Sequence, residues 1–227
     1  MERRANGSLA FRAISVDVSW RFYIRRPKVR CVLGAAAYRI ESVSFRRVNL
    51  HRSLLLLIVL MGGCARDNRH VLLISTADQR MFLLRDSNKI AEFPVSTSKF
   101  GVGDALNSNA TPLGLLRVRK KIGSGAPSGA VFKSRHRTGE ILPIDAPGRD
   151  PIVTRILWLE GLEPQNRHAF GRYIYIHGTP EERNIGVASS YGCIRMRSAD
   201  VIYLYDTVGV GARVVITPMP FKRDGPM

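Results

Sequence analysis

Acidic residues are scarce in this 227-residue chain, which holds 18 Asp+Glu against 35 Lys+Arg and carries a formal charge of +17 at pH 7. That imbalance raises nucleic acid, an anionic membrane or an acidic polymer as partners without choosing among them. Cysteine is scarcer still. Three residues, Cys31, Cys64 and Cys193, are too few for a disulfide-stapled scaffold, and no Cys-x-x-Cys pair is present to hold zinc. No internal repeat is present. The apolar run Leu54 to Met61 has eight residues, about 12 Å as a helix, whereas a bilayer span needs about 20 residues. A spanning helix there is excluded. The apolar fraction of 45% is nevertheless that of a chain able to bury a core, which excludes disorder throughout.

The positive charge is concentrated at the front. Residues 1–63 hold 12 Lys+Arg and 3 Asp+Glu, leaving 23 and 15 for the remainder. Arg46-Arg47 and Arg52 precede the run Leu54–Met61, which ends in Gly62-Gly63-Cys64. A charged segment, a short apolar segment and a small-residue site make a signal peptide over residues 48–63. A cysteine directly after two glycines resembles the lipobox of bacterial lipoproteins, with Met61 where leucine is usual; a plain secretory signal is the alternative. On the lipobox reading Cys64 is lipidated, the mature protein is exported to the periplasm and anchored to a membrane, and Ala65 leans towards the outer one. Residues 1–47 are a basic extension that a signal peptide does not need. The expectation is that translation begins near Val48 or Leu50, with an extension lost together with the signal as the alternative.

Behind a linker at 64–69, the spacing predicts strands over 70–76, 81–85 and 90–97 as an antiparallel meander, with Pro94 near an edge. Further strands are expected over 115–118, 152–159, 173–176 and 211–216. One helix is expected over 198–204, with Ser198 as N-cap and Asp200 in its first turn. Residues 123–129, Gly-Ser-Gly-Ala-Pro-Ser-Gly, lack the Lys-Ser/Thr ending of a phosphate loop and read as an ordinary loop. Strands dominate, so the fold class is mainly β, a sandwich or open barrel with few short helices, over residues 70–217. The tail 218–227 reads as coil.

The chemistry lies in two segments. Arg172-Tyr173-Ile174-Tyr175-Ile176-His177-Gly178-Thr179 ends a strand in a histidine followed by turn residues, so His177 is expected at a half-exposed strand end. In Ser189-Ser190-Tyr191-Gly192-Cys193-Ile194-Arg195-Met196-Arg197 a cysteine follows a glycine among basic residues. Arg195 and Arg197 are expected to favour the thiolate of Cys193. A cysteine and a histidine from separate segments make a nucleophile and base, and the N–H groups of Tyr191, Gly192 and Cys193 are candidates for an oxyanion hole. A lone pair of this kind is also compatible with an inert buried cysteine.

Taken together, Tyr-Ile-His-Gly-Thr at 175–179, Ile185-Gly186, Ser-Tyr-Gly-Cys-Ile-Arg-Met at 190–196, and upstream Thr111-Pro112-x-Gly114 resemble the L,D-transpeptidase catalytic domain of YkuD type. The resemblance covers roughly residues 70–217. It implies a cell-wall enzyme whose Cys193 thiolate attacks a peptidoglycan tetrapeptide stem, releases D-Ala and leaves a thioester. It also implies that His177 serves as base and then acid, oriented by the carbonyl of Gly178, and that Arg195 grips a substrate carboxylate. Ser190, Tyr191 and Gly192 would line the substrate site, and no metal or organic cofactor is required. The acyl group would pass to an amine on a neighbouring stem or on an anchored lipoprotein.

One residue departs from that pattern: Tyr191 stands where the family has a second histidine. Activity is expected to survive, because position 191 acts mainly through its backbone, while substrate preference is the property in question. An L,D-carboxypeptidase on the same fold and a silent murein-binding lipoprotein are the alternative readings. The basic clusters 117–121 and 133–137 lack interleaved aromatics, so nucleic acid is not expected as a partner.

Overall fold

The computed structural model describes residues 66–221. The expectations for the extension 1–47, the signal 48–63 and the lipidation site Cys64 lie outside the described residues.

Strands β1 (His70–Ser75), β2 (Arg80–Arg85) and β3 (Asn88–Pro94) form the expected antiparallel meander. The β2–β3 turn is tight because Asp86 and Ser87 both take positive φ, 50° and 70°, the geometry that matches the twist of a two-residue hairpin. Pro94 is the last residue of β3, and β3 is the end strand of the sheet, where a missing N–H costs least. Strand β10 (Arg213–Thr217) lies parallel to β1 and antiparallel to β4 (Gly114–Ile122). Next comes β7 (Ile152–Gly161), then the hairpin β5 (Ala130–Lys133) and β6 (His136–Ile141). The fold is mainly β, as expected, and takes the form of one mixed sheet.

The sheet branches at β7. Its residues Ile156–Trp158 pair with β4 and also with β8 (Tyr175–Gly178), so those two strands occupy opposite edges of β7. Parallel to β8 runs β9 (Ile194–Met196), three residues that the sequence reading did not assign as strand. Strand β8 itself starts two residues later than expected, because Tyr173 sits at φ 58° in a turn.

Alternation along these strands divides two cores. Leu157 and Leu159 of β7 face a large cluster with Leu72, Leu116, Ile176, Ile194 and Met196. Ile156 and Trp158 face a second cluster with Phe132 and Tyr175, against which Phe170 and Cys193 pack. With side chains alternating between faces, β7 is buried on both sides. Trp158 stacks on Phe170 at 4.1 Å between centroids and meets Tyr175 edge-on at 5.6 Å, arrangements that the ring quadrupoles favour.

Helix α1 (Ser198–Thr207) buries Val201, Leu204 and Tyr205, one face of its turns. Arg197 occupies the N-cap position, so Ser198, expected as the cap, is the first helical residue instead. The N–H of Ser198 donates to Glu182 Oε1 at 2.7 Å, and its hydroxyl meets Thr154 Oγ1 at 2.8 Å. A glutamate from a distant turn therefore does the capping. Asp200 lies in the first turn as expected. At the far end Lys121 Nζ donates to the carbonyls of Tyr205 and Val208 at 2.5 and 2.7 Å, occupying acceptors that a helix C-terminus leaves open. No helix among the described residues is long and apolar enough to cross a membrane.

Candidate active site

Register brings the two chemical segments together. His177 of β8 is paired with Arg195 of β9, and Ile176 with Ile194. Partners in adjacent strands share a face, so Ile176, Ile194 and Met196 enter the large core while Tyr175, His177, Cys193 and Arg195 take the other side. Cys193, one residue before β9 and two before Arg195, thus falls on the face that carries His177.

His177 is 4% exposed rather than half-exposed, because β8 is enclosed between β7 and β9. Its Nδ1 lies 2.8 Å from the carbonyl oxygen of Gly178. A carbonyl only accepts, so Nδ1 carries the proton and donates it, which leaves the Nε2 lone pair as the basic position. Burial pushes the imidazole down from 6.5 to about 4, the Gly178 carbonyl opposing and the Arg195 charge adding to the drop, with Asp150 acting upwards. Gly178 has to be glycine: a Cβ there would meet the Val153 carbonyl at 2.8 Å and Thr154 Cβ at 3.1 Å.

The turn carrying Cys193 is held from three directions. Ser190 is fully buried, its N–H donates to Thr97 O at 2.9 Å, and its carbonyl accepts from Lys99 N–H at 3.1 Å. Its hydroxyl donates to the Cys193 carbonyl at 2.5 Å and accepts the Gly192 N–H at 3.2 Å. Gly192 takes φ +111°, a left-handed conformation that favours glycine, and its carbonyl accepts from Thr111 Oγ1 at 3.1 Å. Of the three amides expected to form an oxyanion hole, Gly192 is therefore already engaged.

Cys193 is half-buried and free, and its Sγ lies 3.4 Å from the Tyr173 carbonyl. The expected lowering of the thiol does not prevail. Burial pushes it up to about 11, against the opposing pull of the Tyr175 N–H, Arg195 and Arg172. Desolvating a thiolate outweighs two nearby guanidiniums. The second of these is Arg172 rather than the exposed Arg197. Both shifts favour the uncharged forms, a thiol at Cys193 and a neutral imidazole at His177.

The carboxylate that Arg195 meets is the protein's own. Its guanidinium forms an ion pair with Asp150, both side chains being nearly shielded at 10% and 13% exposure, and Nη1 donates to the Ser189 carbonyl at 3.3 Å. Asp150 also accepts from the Thr179 hydroxyl. The fork that the sequence reading gives to a substrate carboxylate is filled from within. Tyr191 is 57% exposed, and its hydroxyl accepts from Lys99 Nζ at 3.0 Å instead of turning towards Cys193.

Two residues near Cys193 and His177 carry no expected role from the sequence, Asp150 and Arg172. Asp150 stands in an irregular stretch before Pro151, with no spacing to mark it. The Arg172 side chain is nearly shielded, and its guanidinium donates to Gly103 O, Asp104 Oδ1, Ser108 Oγ and Ala110 O at 2.7–3.1 Å. It ties down the loop that borders the turn of Cys193. Among the described residues no three His, Cys, Asp or Glu side chains group so as to hold a metal ion.

A thiol and an imidazole of fixed tautomer on one face of a sheet, with two nearly shielded guanidiniums acting on the sulfur, are the groups that a cysteine nucleophile and its base would require. The YkuD family of L,D-transpeptidase catalytic domains matches residues 69–216, and the chain belongs to that family. It is 30% identical to "Probable L,D-transpeptidase ErfK/SrfK" of Escherichia coli (strain K12), a match covering 68% of this chain and 46% of that protein. It is 28% identical to "Probable L,D-transpeptidase YbiS" of the same organism, over 66% of this chain and 45% of that one. The chain thus spans about half the length of these curated relatives. An L,D-transpeptidase structure from Xylanimonas cellulosilytica is similar at 17% identity and a TM-score of 0.43, over 73% of this chain and 69% of that one.

Proposed function

We propose that this chain is a peptidoglycan L,D-transpeptidase with Cys193 as nucleophile and His177 as general base and acid. The observation that carries the reading is the 2.8 Å contact from His177 Nδ1 to the Gly178 carbonyl, which leaves Nε2 basic on the face that also carries Cys193. In the first half-reaction the Cys193 proton passes to Nε2 as sulfur attacks the carbonyl carbon between the third residue of a tetrapeptide stem and its terminal D-Ala. The imidazolium then protonates the D-Ala amine, the C–N bond breaks and a thioester remains. In the second half-reaction an acceptor amine attacks the thioester, His177 takes its proton, and sulfur leaves as thiolate and recovers the proton.

The pKa values support transfer during attack rather than a preformed ion pair, since the imidazole lies near 4 and the thiol near 11. Arg195 and Arg172 act on the sulfur as fixed charges that favour the anion as it develops. Arg195 acts from its pairing with Asp150, and Ser190 and Gly192 hold the turn. An exported protein lipidated at Cys64, working on stems in the periplasm, fits this chemistry, with an amine of a neighbouring stem or an anchored lipoprotein as acceptor.

Incubating the full chain with purified disaccharide tetrapeptide, beside a Cys193→Ala control, tests the reading by mass spectrometry of products. Cross-linked dimer that requires Cys193 is the expected result. Tripeptide alone would make the protein an L,D-carboxypeptidase, and no turnover would leave a murein-binding protein.

A further inference from the structure

With Arg195 paired to Asp150, Lys99 is an exposed cation fixed against the turn that carries Cys193. Its place is set at both ends. The Lys99 N–H donates to the Ser190 carbonyl at 3.1 Å, so its backbone is stitched to the turn that carries Cys193. Its ammonium donates to Tyr191 Oη at 3.0 Å, lies 4.4 Å from the centroid of that ring and 5.3 Å from that of Phe100. The two rings stand 5.4 Å apart and are 57% and 51% exposed. Two large aromatic side chains left half in water beside a nucleophile do not serve the core. Here they fix a lysine whose stem would otherwise be free to rotate.

Among the described residues Lys99 has no carboxylate partner, in contrast to Arg195. An ammonium with three donors spends one on Tyr191 and keeps two for a ligand. The Lys99 backbone is bonded to Ser190, three residues before Cys193, so a peptide lying along this turn can meet both. We propose that Lys99, clamped by Tyr191 and Phe100, anchors a carboxylate of the stem peptide next to Cys193, the task that the sequence pattern assigns to Arg195. This rests on the transpeptidase reading for the identity of the peptide. Its carboxylate is either that of the terminal D-Ala or one on the side chain of the third residue. On this account Tyr191 is a specificity-determining residue, because it aims the lysine.

The test is a binding measurement that does not depend on turnover. Calorimetry with the full chain carrying Cys193→Ala compares the tetrapeptide acid, its C-terminal amide, and a stem whose third residue has no side-chain carboxylate. Removing the anchored carboxylate is expected to weaken binding about tenfold; whichever peptide shows that loss identifies the source. Adding Lys99→Met should produce the same loss for the acid and abolish the difference between the peptides, whereas Lys99→Arg should retain it. Equal discrimination with and without Lys99 would overturn the proposal. Unchanged alkylation of Cys193 by iodoacetamide in the Lys99→Met chain shows that the fold is intact. If the wild-type chain binds the peptides with this discrimination but releases no D-Ala, the transpeptidase reading fails and the anchor stands.

Discussion

The imidazole Nδ1 of His177 and the carbonyl oxygen of Gly178 are 2.8 Å apart. The imidazole is thereby oriented by the backbone of its immediate neighbour rather than by a carboxylate. The arrangement needs Gly178 close against β7, and it buries the imidazole. The burial has a thermodynamic consequence.

His177 is held neutral in the fold, at about 4, whereas an unfolded histidine titrates near 6.5. Between those values the unfolded chain binds more protons than the native one, so stability rises with pH across that window. It is fully present above 6.5 and falls as the pH drops towards 4, by about 3 kcal/mol from this group. Urea unfolding at pH 7 and pH 4.5 should show the difference. In His177→Gln the slope from this residue should vanish.

Cys193 gives the opposite slope. With the thiol at about 11, iodoacetamide should alkylate it slowly at pH 7 and faster with each step towards pH 11. Arg195→Met removes a charge that lowers the thiol, so its profile should move further to alkaline pH. A profile centred at or below the ordinary thiol value would contradict the burial argument.

Asp150 neutralises Arg195 in a setting that excludes most water. Asp150→Ala leaves a buried guanidinium without its partner and should cost about 3 kcal/mol in urea unfolding. It should also speed alkylation of Cys193, because an unpaired Arg195 exerts its full charge on the sulfur.

Gly178→Ala puts a methyl group against the Val153 carbonyl. It should destabilise the fold by about 1–3 kcal/mol and reduce D-Ala release more than the stability loss explains, since β8 must move and carry the orienting carbonyl with it. Thermal unfolding and turnover measured on one preparation separate the two effects.

The meander over 70–94, the helix after 198 and the strand positions of β4, β7 and β10 were legible because each follows a short local pattern of apolar and turn residues. The hairpin β5–β6 was not. Every residue of β6 is exposed, so no apolar alternation marks it, and pairing with β5 supplies its order. Strand β9 is three residues long and exists through its parallel pairing to β8, a partner that no local window contains. His177 and Cys193 stood out by residue type as a candidate pair, and the place of Gly178 came with the family resemblance. The ion pair of Asp150 with Arg195 was not, since it joins residues 45 apart through a loop without regular structure. The environment of the thiol was missed for the same reason. Charges can be counted along a sequence, whereas burial, which here outweighs them, is a property of the packed chain.

Intact-protein mass spectrometry of the chain after brief exposure to a tetrapeptide stem tests the central claim most directly. The account predicts a mass increase equal to the stem less D-Ala, located on the peptide containing Cys193, absent in Cys193→Ala and strongly reduced in His177→Gln. An adduct on another residue, or D-Ala release that persists without Cys193, would contradict it.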